Sequence, residues 1–84
     1  MEEREYAQTV IELALGRAAI MVIDARLQQE SGSGFLASAV VDAYQYAQAQ
    51  LAAYGGYLSG AQREAVNTAL SSLAQAIRAL GIEL

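Results

Sequence analysis

Glycine and proline decide most of what this chain can become. Proline is absent from its 84 residues, and four of the seven glycines fall in two clusters, Gly32 with Gly34 and Gly55 with Gly56. Such clusters are the strongest local breakers of regular structure, and here they cut the chain into three pieces. Each piece carries apolar residues at helical spacing, and none shows sustained alternation of β-branched residues. The spacing therefore predicts helices over about residues 3–29, 35–54 and 60–80, and no strand. The expected fold class is all-α: one domain over residues 1–84, an up-down-up three-helix bundle.

A bundle this small is hard to stabilise alone. Domains of this size bury only about 60% of their unfolded surface, and disulfides, metals or oligomerisation usually supplement the core. The chain has no Cys and no His. That rules out disulfides and thiolate metal sites, and it removes the commonest metal ligand and general base. Oligomerisation is the supplement left. Hydrophobic residues make up 55% of the chain, but many are Ala, so the helices are expected to approach closely around a small-residue core.

The first helix carries the clearest sign of a second contact. At 100° per residue it divides into three sectors. One is apolar: Ala7, Ile11, Ala14, Leu15, Ala18, Met21, Val22 and Ala25. One is mostly polar: Glu5, Gln8, Thr9, Glu12 and Arg26, interrupted by Ala19 and Ile23. The third sets two opposite charges, Arg17 and Asp24, among Tyr6, Val10, Leu13 and Ile20. A helix in a small monomer needs one buried stripe, and this one offers two. Neither Arg17 nor Asp24 has an opposite charge three or four residues away. If two first helices pack antiparallel about a twofold axis near Ile20 and Met21, Arg17 of one chain faces Asp24 of the other, twice. The alternative is that Arg17 reaches water along its stem and Asp24 is solvated. Gly16, mid-helix, costs about 1 kcal/mol against Ala and is read either as tolerated on an exposed face or as a point of close backbone approach.

The second helix has an apolar stripe of Leu36, Val40, Ala43, Tyr44, Ala47, Leu51 and Tyr54. Its back is uncharged: from Ser31 to Gln62 the only charge is Asp42. Solvated helix faces normally carry both signs of charge, so this back is a candidate contact face, with Tyr46 as its aromatic. Tyr44 and Tyr54 are expected in the core, with Tyr57 plugging the bundle end. Gly55 is expected just past the helix end, with positive φ. Ser59 with Gln62 reads as a capping box opening the third helix. The third helix has one unbroken stripe, Val66, Ala69, Leu70, Leu73, Ala76, Ile77 and Leu80, closed by a Gly81 cap with Ile82 folding back.

Part of the second half resembles a known family. Leu51, Gly55, Leu58, Ser59, Arg63, Val66, Ala69, Leu70, Leu73, Ala76 and Ile77 fall at the spacings seen in the C-terminal helical lid of DnaK-type heat-shock chaperones. There a helix ends in a Gly turn, Leu-Ser caps the next helix and an apolar stripe follows. The resemblance covers about residues 44–80. Two departures stand against it: Ser31–Gly34 interrupts what is a long helix in the family, and the lid is far more charged than this segment. What the resemblance implies is a helical bundle with no catalysis of its own.

Charge and composition narrow the function. The net charge is −4, and all five basic residues are Arg, scattered along the chain. An acidic domain of this kind makes a poor phosphate-binding surface, so no nucleic-acid partner is expected. The longest charge-free run, Ala43 to Gln62, is too polar for a bilayer, and the opening Met-Glu-Glu-Arg-Glu does not read as a secretory signal. No membrane association and a cytoplasmic location are the expectations. Of the mid-helix carboxylates, Glu12, Asp42 and Glu64 face outward and Asp24 lies in the mixed sector, so no converging pair is apparent. Neither enzyme activity nor a cofactor or metal is expected. The sequence points instead to a protein–protein interaction or self-association module: a homodimer through the first helix, or docking onto a partner helix. The interface is expected at Tyr6, Val10, Leu13, Arg17, Ile20, Asp24 and Tyr46. Two rival readings are a subunit of a larger homopolymer, filament or shell, and a small-ligand-binding or catalytic bundle with its site near Arg17 and Asp24.

Overall fold

The computed structural model describes residues 2–84 and, among them, no strand. Three helices follow in order: α1, Glu3–Glu30; α2, Ala37–Tyr54; and α3, Gly60–Ala79, with a single 3-10 turn, Gly55–Tyr57, between α2 and α3. Pairing at the two ends gives the topology. Tyr6 near the start of α1 meets Tyr54 at the end of α2, so these helices run antiparallel. Gln62 at the start of α3 donates to Gln8, and Gln29 at the end of α1 donates to the Leu80 carbonyl, so α1 and α3 run parallel. The order is up, down, up.

Alanine sets the spacing of the helices. Ala14 and Ala25 of α1, Ala47 of α2 and Ala74 of α3 are buried in one cluster with Val22, Val40, Tyr44, Leu70, Ile77 and Leu80. A second, smaller cluster of Ala7, Ile11 and Leu58 fills the end where α1 begins. Leu15, Leu51 and Val66 pack against both and join them. The expected α1 and α3 stripes are buried or half-buried throughout. No charged or polar residue is buried among the described residues.

The helix ends follow local chemistry in most places. The Ser59 hydroxyl accepts from the Gln62 backbone N–H at 3.1 Å, and the Ser59 backbone N–H donates to the Gln62 side chain at 2.9 Å, completing the capping box. Gly32 and Gly81 take positive φ, 82° and 89°, just past the ends of α1 and α3. Ile82 then folds back onto the core, as a hydrophobic contact after a left-handed cap does.

Three local expectations are corrected. Gly55 has φ −60° and continues into the 3-10 turn. It is buried, and a Cβ there would stand 3.0 Å from Leu51 Cδ1, so a side chain would have to displace the end of Leu51; no left-handed backbone calls for the glycine. Helix α2 begins at Ala37, not Phe35, because Leu36 is the extended residue before the helix. Phe35 packs on the core and Leu36 is exposed, out of phase with the α2 stripe. Tyr57 does not plug the bundle end: it is exposed, and Leu58 is buried there instead.

Candidate interaction surface

Helix α1 has a second apolar ridge opposite its core face. Leu13, Ile20, Ile23 and Leu27 are 59–69% exposed. With Tyr6, Thr9 and Gly16 they fall alternately three and four residues apart, the heptad spacing of a coiled-coil seam. Ile23 and Leu27 are functional candidates that the sector reading passes over. The signal that finds them is the three-four spacing, which runs unbroken through Thr9 and Gly16.

The flanks of this ridge are the charged positions. On the α2 side lie Val10, Arg17 and Asp24. Arg17 lines a groove of about 300 Å3 with Met21, Ala39, Asp42, Ala43 and Tyr46. Asp24 lines the neighbouring groove with Phe35 and Leu36. On the α3 side lies Glu12, which borders a groove with Gln62 and Ala65. A Cβ added to Gly16 would meet nothing within 4 Å, so the protomer does not require a glycine in the ridge.

The expected interface residues are partly brought together. Arg17 and Tyr46, on different helices, face one groove, and Tyr46 is exposed. Leu13 and Ile20 stand on the ridge, Tyr6 is exposed at its start, and Val10 is half-buried at its margin. Asp24 accepts from Gln28 Nε2 at 2.7 Å. That bond supplies a donor but no positive charge, and the carboxylate is exposed. Asp42, read from sequence as facing outward, shares the Arg17 groove, which gives Arg17 one acidic neighbour across the α1–α2 boundary.

At the start of α1, Tyr6 and Tyr54 pack edge to face, with centroids 5.6 Å apart and planes at 71°. The Tyr6 hydroxyl, first by hydrogen bonding and then by charge, pushes the Tyr54 phenol above its usual value; partial burial and the nearby Tyr46 and Tyr57 act in the same direction. Tyr44 sits in the core, where its hydroxyl accepts from Gln48 Nε2 at 3.3 Å.

Among the described residues no three His, Cys, Asp or Glu side chains converge as metal ligands. No described helix is long and apolar enough to cross a membrane. No protein-family model, curated protein or solved structure matches the chain. The functional reading therefore rests on the surface itself.

Proposed function

We propose that this protein is a non-catalytic self-association module that pairs with a second copy of itself through the outer ridge of α1. The observation that carries the proposal is the ridge: four large aliphatic side chains, each more than half exposed, at heptad spacing on a helix whose other face is fully used by the core. Full burial of one such side chain is worth about 1.5–3 kcal/mol. Contributed by both copies, that exceeds the lower end of the about 4–15 kcal/mol lost in rigid-body freedom on association. Exposed singly they would need no explanation; aligned in one seam they do.

Charge selects the arrangement. In an antiparallel pair centred near Ile20 and Met21, Arg17 lies across from the second copy's Asp24 on both sides, Ile20 meets Ile23, and Leu27 meets Gly16, whose missing side chain leaves it room. Sliding the pair by one heptad brings Glu12 opposite Arg26 but sets Arg17 against its own copy. A parallel pair sets Glu12 opposite Arg17 and leaves Asp24 beside Ala19. Tyr46, across the groove from Arg17, extends the contact onto α2. The partial likeness of residues 44–80 to a chaperone lid is compatible with this reading and supplies no activity.

A charge swap tests the proposal by light-scattering mass. The parent is expected to be a dimer. Arg17→Asp should give a monomer, because it sets an acid against Asp24 of the second copy at both symmetric contacts. Arg17→Asp combined with Asp24→Arg should restore the dimer. Restoration fails for a parallel pair, where the new Asp still meets Glu12. A parent that stays monomeric overturns the proposal, and a polydisperse mass transfers it to an open polymer.

A further inference from the structure

We infer that the concavity walled by Tyr6, Tyr54, Tyr57 and Glu3 is a binding site for the quaternary ammonium group of a small organic cation. The site shares only Tyr6 with the α1 ridge and does not rest on self-association.

The geometry is that of an aromatic cage. Tyr6 and Tyr54 meet at 71°, so their rings form two walls of a corner. Tyr57, delivered by the 3-10 turn after α2, is the third wall of the same concavity, and Glu3 completes the lining. Glu3 precedes Tyr6 by three residues, which puts both on one face of α1. Aromatic faces carry the negative end of a quadrupole, and a cation within about 6 Å of a ring centroid is attracted to them. A carboxylate at the rim adds a full negative charge. The concavity measures about 230 Å3, below the roughly 300–1,000 Å3 of sites for drug-sized ligands, so it suits a compact group.

The chemistry of the walls selects for a methylated cation. Three phenol rings give a mostly apolar lining that would not replace the hydration shell of a metal ion or a primary ammonium. A quaternary ammonium has no N–H groups to satisfy and holds water weakly. The start of α1 contributes about half a positive charge, which opposes a cation. Glu2, Glu3 and Glu5 outweigh that charge and Arg4 together.

Tyr57 does not fill the role of bundle plug expected from the sequence, and the core makes no use of it: Tyr57 and Tyr6 are both about half exposed. Tyr54, the third ring, packs against the end cluster of the core and so fixes one wall of the concavity.

Choline is the probe, titrated into the full chain at constant ionic strength and followed by the ring-proton resonances of the tyrosines. Two exposed rings, a half-buried third and one carboxylate predict a Kd of about 1–30 mM. Its neutral isostere, 3,3-dimethylbutan-1-ol, should bind at least fivefold more weakly. Tyr57→Leu should weaken choline binding about two- to fivefold, Tyr57→Phe should retain it, and Glu3→Gln should weaken it about two- to fivefold. Both Tyr57 and Glu3 are exposed, so these chains are expected to fold. Equal binding of the alcohol, or parent affinity in Tyr57→Leu, overturns the cage. Tighter binding of Nε-trimethyllysine than of choline overturns the assignment to a small solute in favour of a modified side chain.

Discussion

Ile77 and Leu13 are both large aliphatic residues at helical spacing, yet they have opposite fates. Ile77 is fully enclosed and Leu13 is 69% exposed. Ile77→Ala should cost about 2–5 kcal/mol, enough to unfold a domain of this size, as read by denaturant titration. Leu13→Ala should change the dilute protomer by less than about 0.5 kcal/mol, and should instead lower the association constant. The α3 stripe read from sequence treats Leu70 and Leu73 alike; Leu70 is buried and Leu73 only half-buried, so Leu70→Ala is the more damaging of the two. Periodicity locates a stripe, but its centre line depends on where the neighbouring helices sit. Gly16 offers a sharper test. With open space around it, Gly16→Ala should raise protomer stability by about 1 kcal/mol through helix propensity. The same methyl would stand under Leu27 of a second copy and weaken pairing. A variant that melts higher and also associates more tightly would show that no backbone closes on that position.

At the scale of elements, what was legible was what is decided locally. The Ser59–Gln62 box needs only four consecutive residues, and it forms as read. Ser59→Ala should therefore cost about 1 kcal/mol, seen as a lower melting temperature. No comparable loss is available at Glu2 or Leu36, the residues before α1 and α2, because neither makes a side-chain cap bond. The start of α2 was not legible, since Phe35 and Leu36 are apolar residues that could begin a helical stripe, whereas Leu36 is extended and Phe35 packs on the core from outside the helix. Gly55 was misread for a related reason. Glycine at a helix end serves either a left-handed backbone or a close approach, and the Leu51 contact that decides between them belongs to the folded state. The candidate surface was half legible. Arg17 and Asp24 stood out as charges in an apolar sector, whereas Ile23 and Leu27 were hidden because a 3.6-residue wheel rotates the members of a 3.5-residue seam away from one another.

At the scale of the whole molecule, the folded chain is thin, 45 × 20 × 16 Å, and α1 at about 1.5 Å per residue runs nearly its full length. Ile11 and Ile77 are its only large side chains that are fully enclosed, among the described residues. A protomer with so little deep core gains proportionally more from covering a ridge that runs along its long axis. Folding and association should then be linked by mass action, because only the folded protomer presents the ridge. For a dimer, each tenfold rise in concentration above the dissociation constant adds about 1.4 kcal/mol per pair, or about 3–5 °C in melting temperature for a domain of this length. Ile20→Glu, at an exposed position, should leave a folded protomer by far-ultraviolet dichroism and abolish the concentration dependence. A parent melting temperature that stays flat over a hundredfold dilution, from a concentration at which light scattering gives the dimer mass, would mean that association is not coupled to folding and would overturn the ridge as the interface. If Ile20→Glu instead keeps the parent's concentration dependence, the pairing would have to be sought on another folded face, the uncharged back of α2 first.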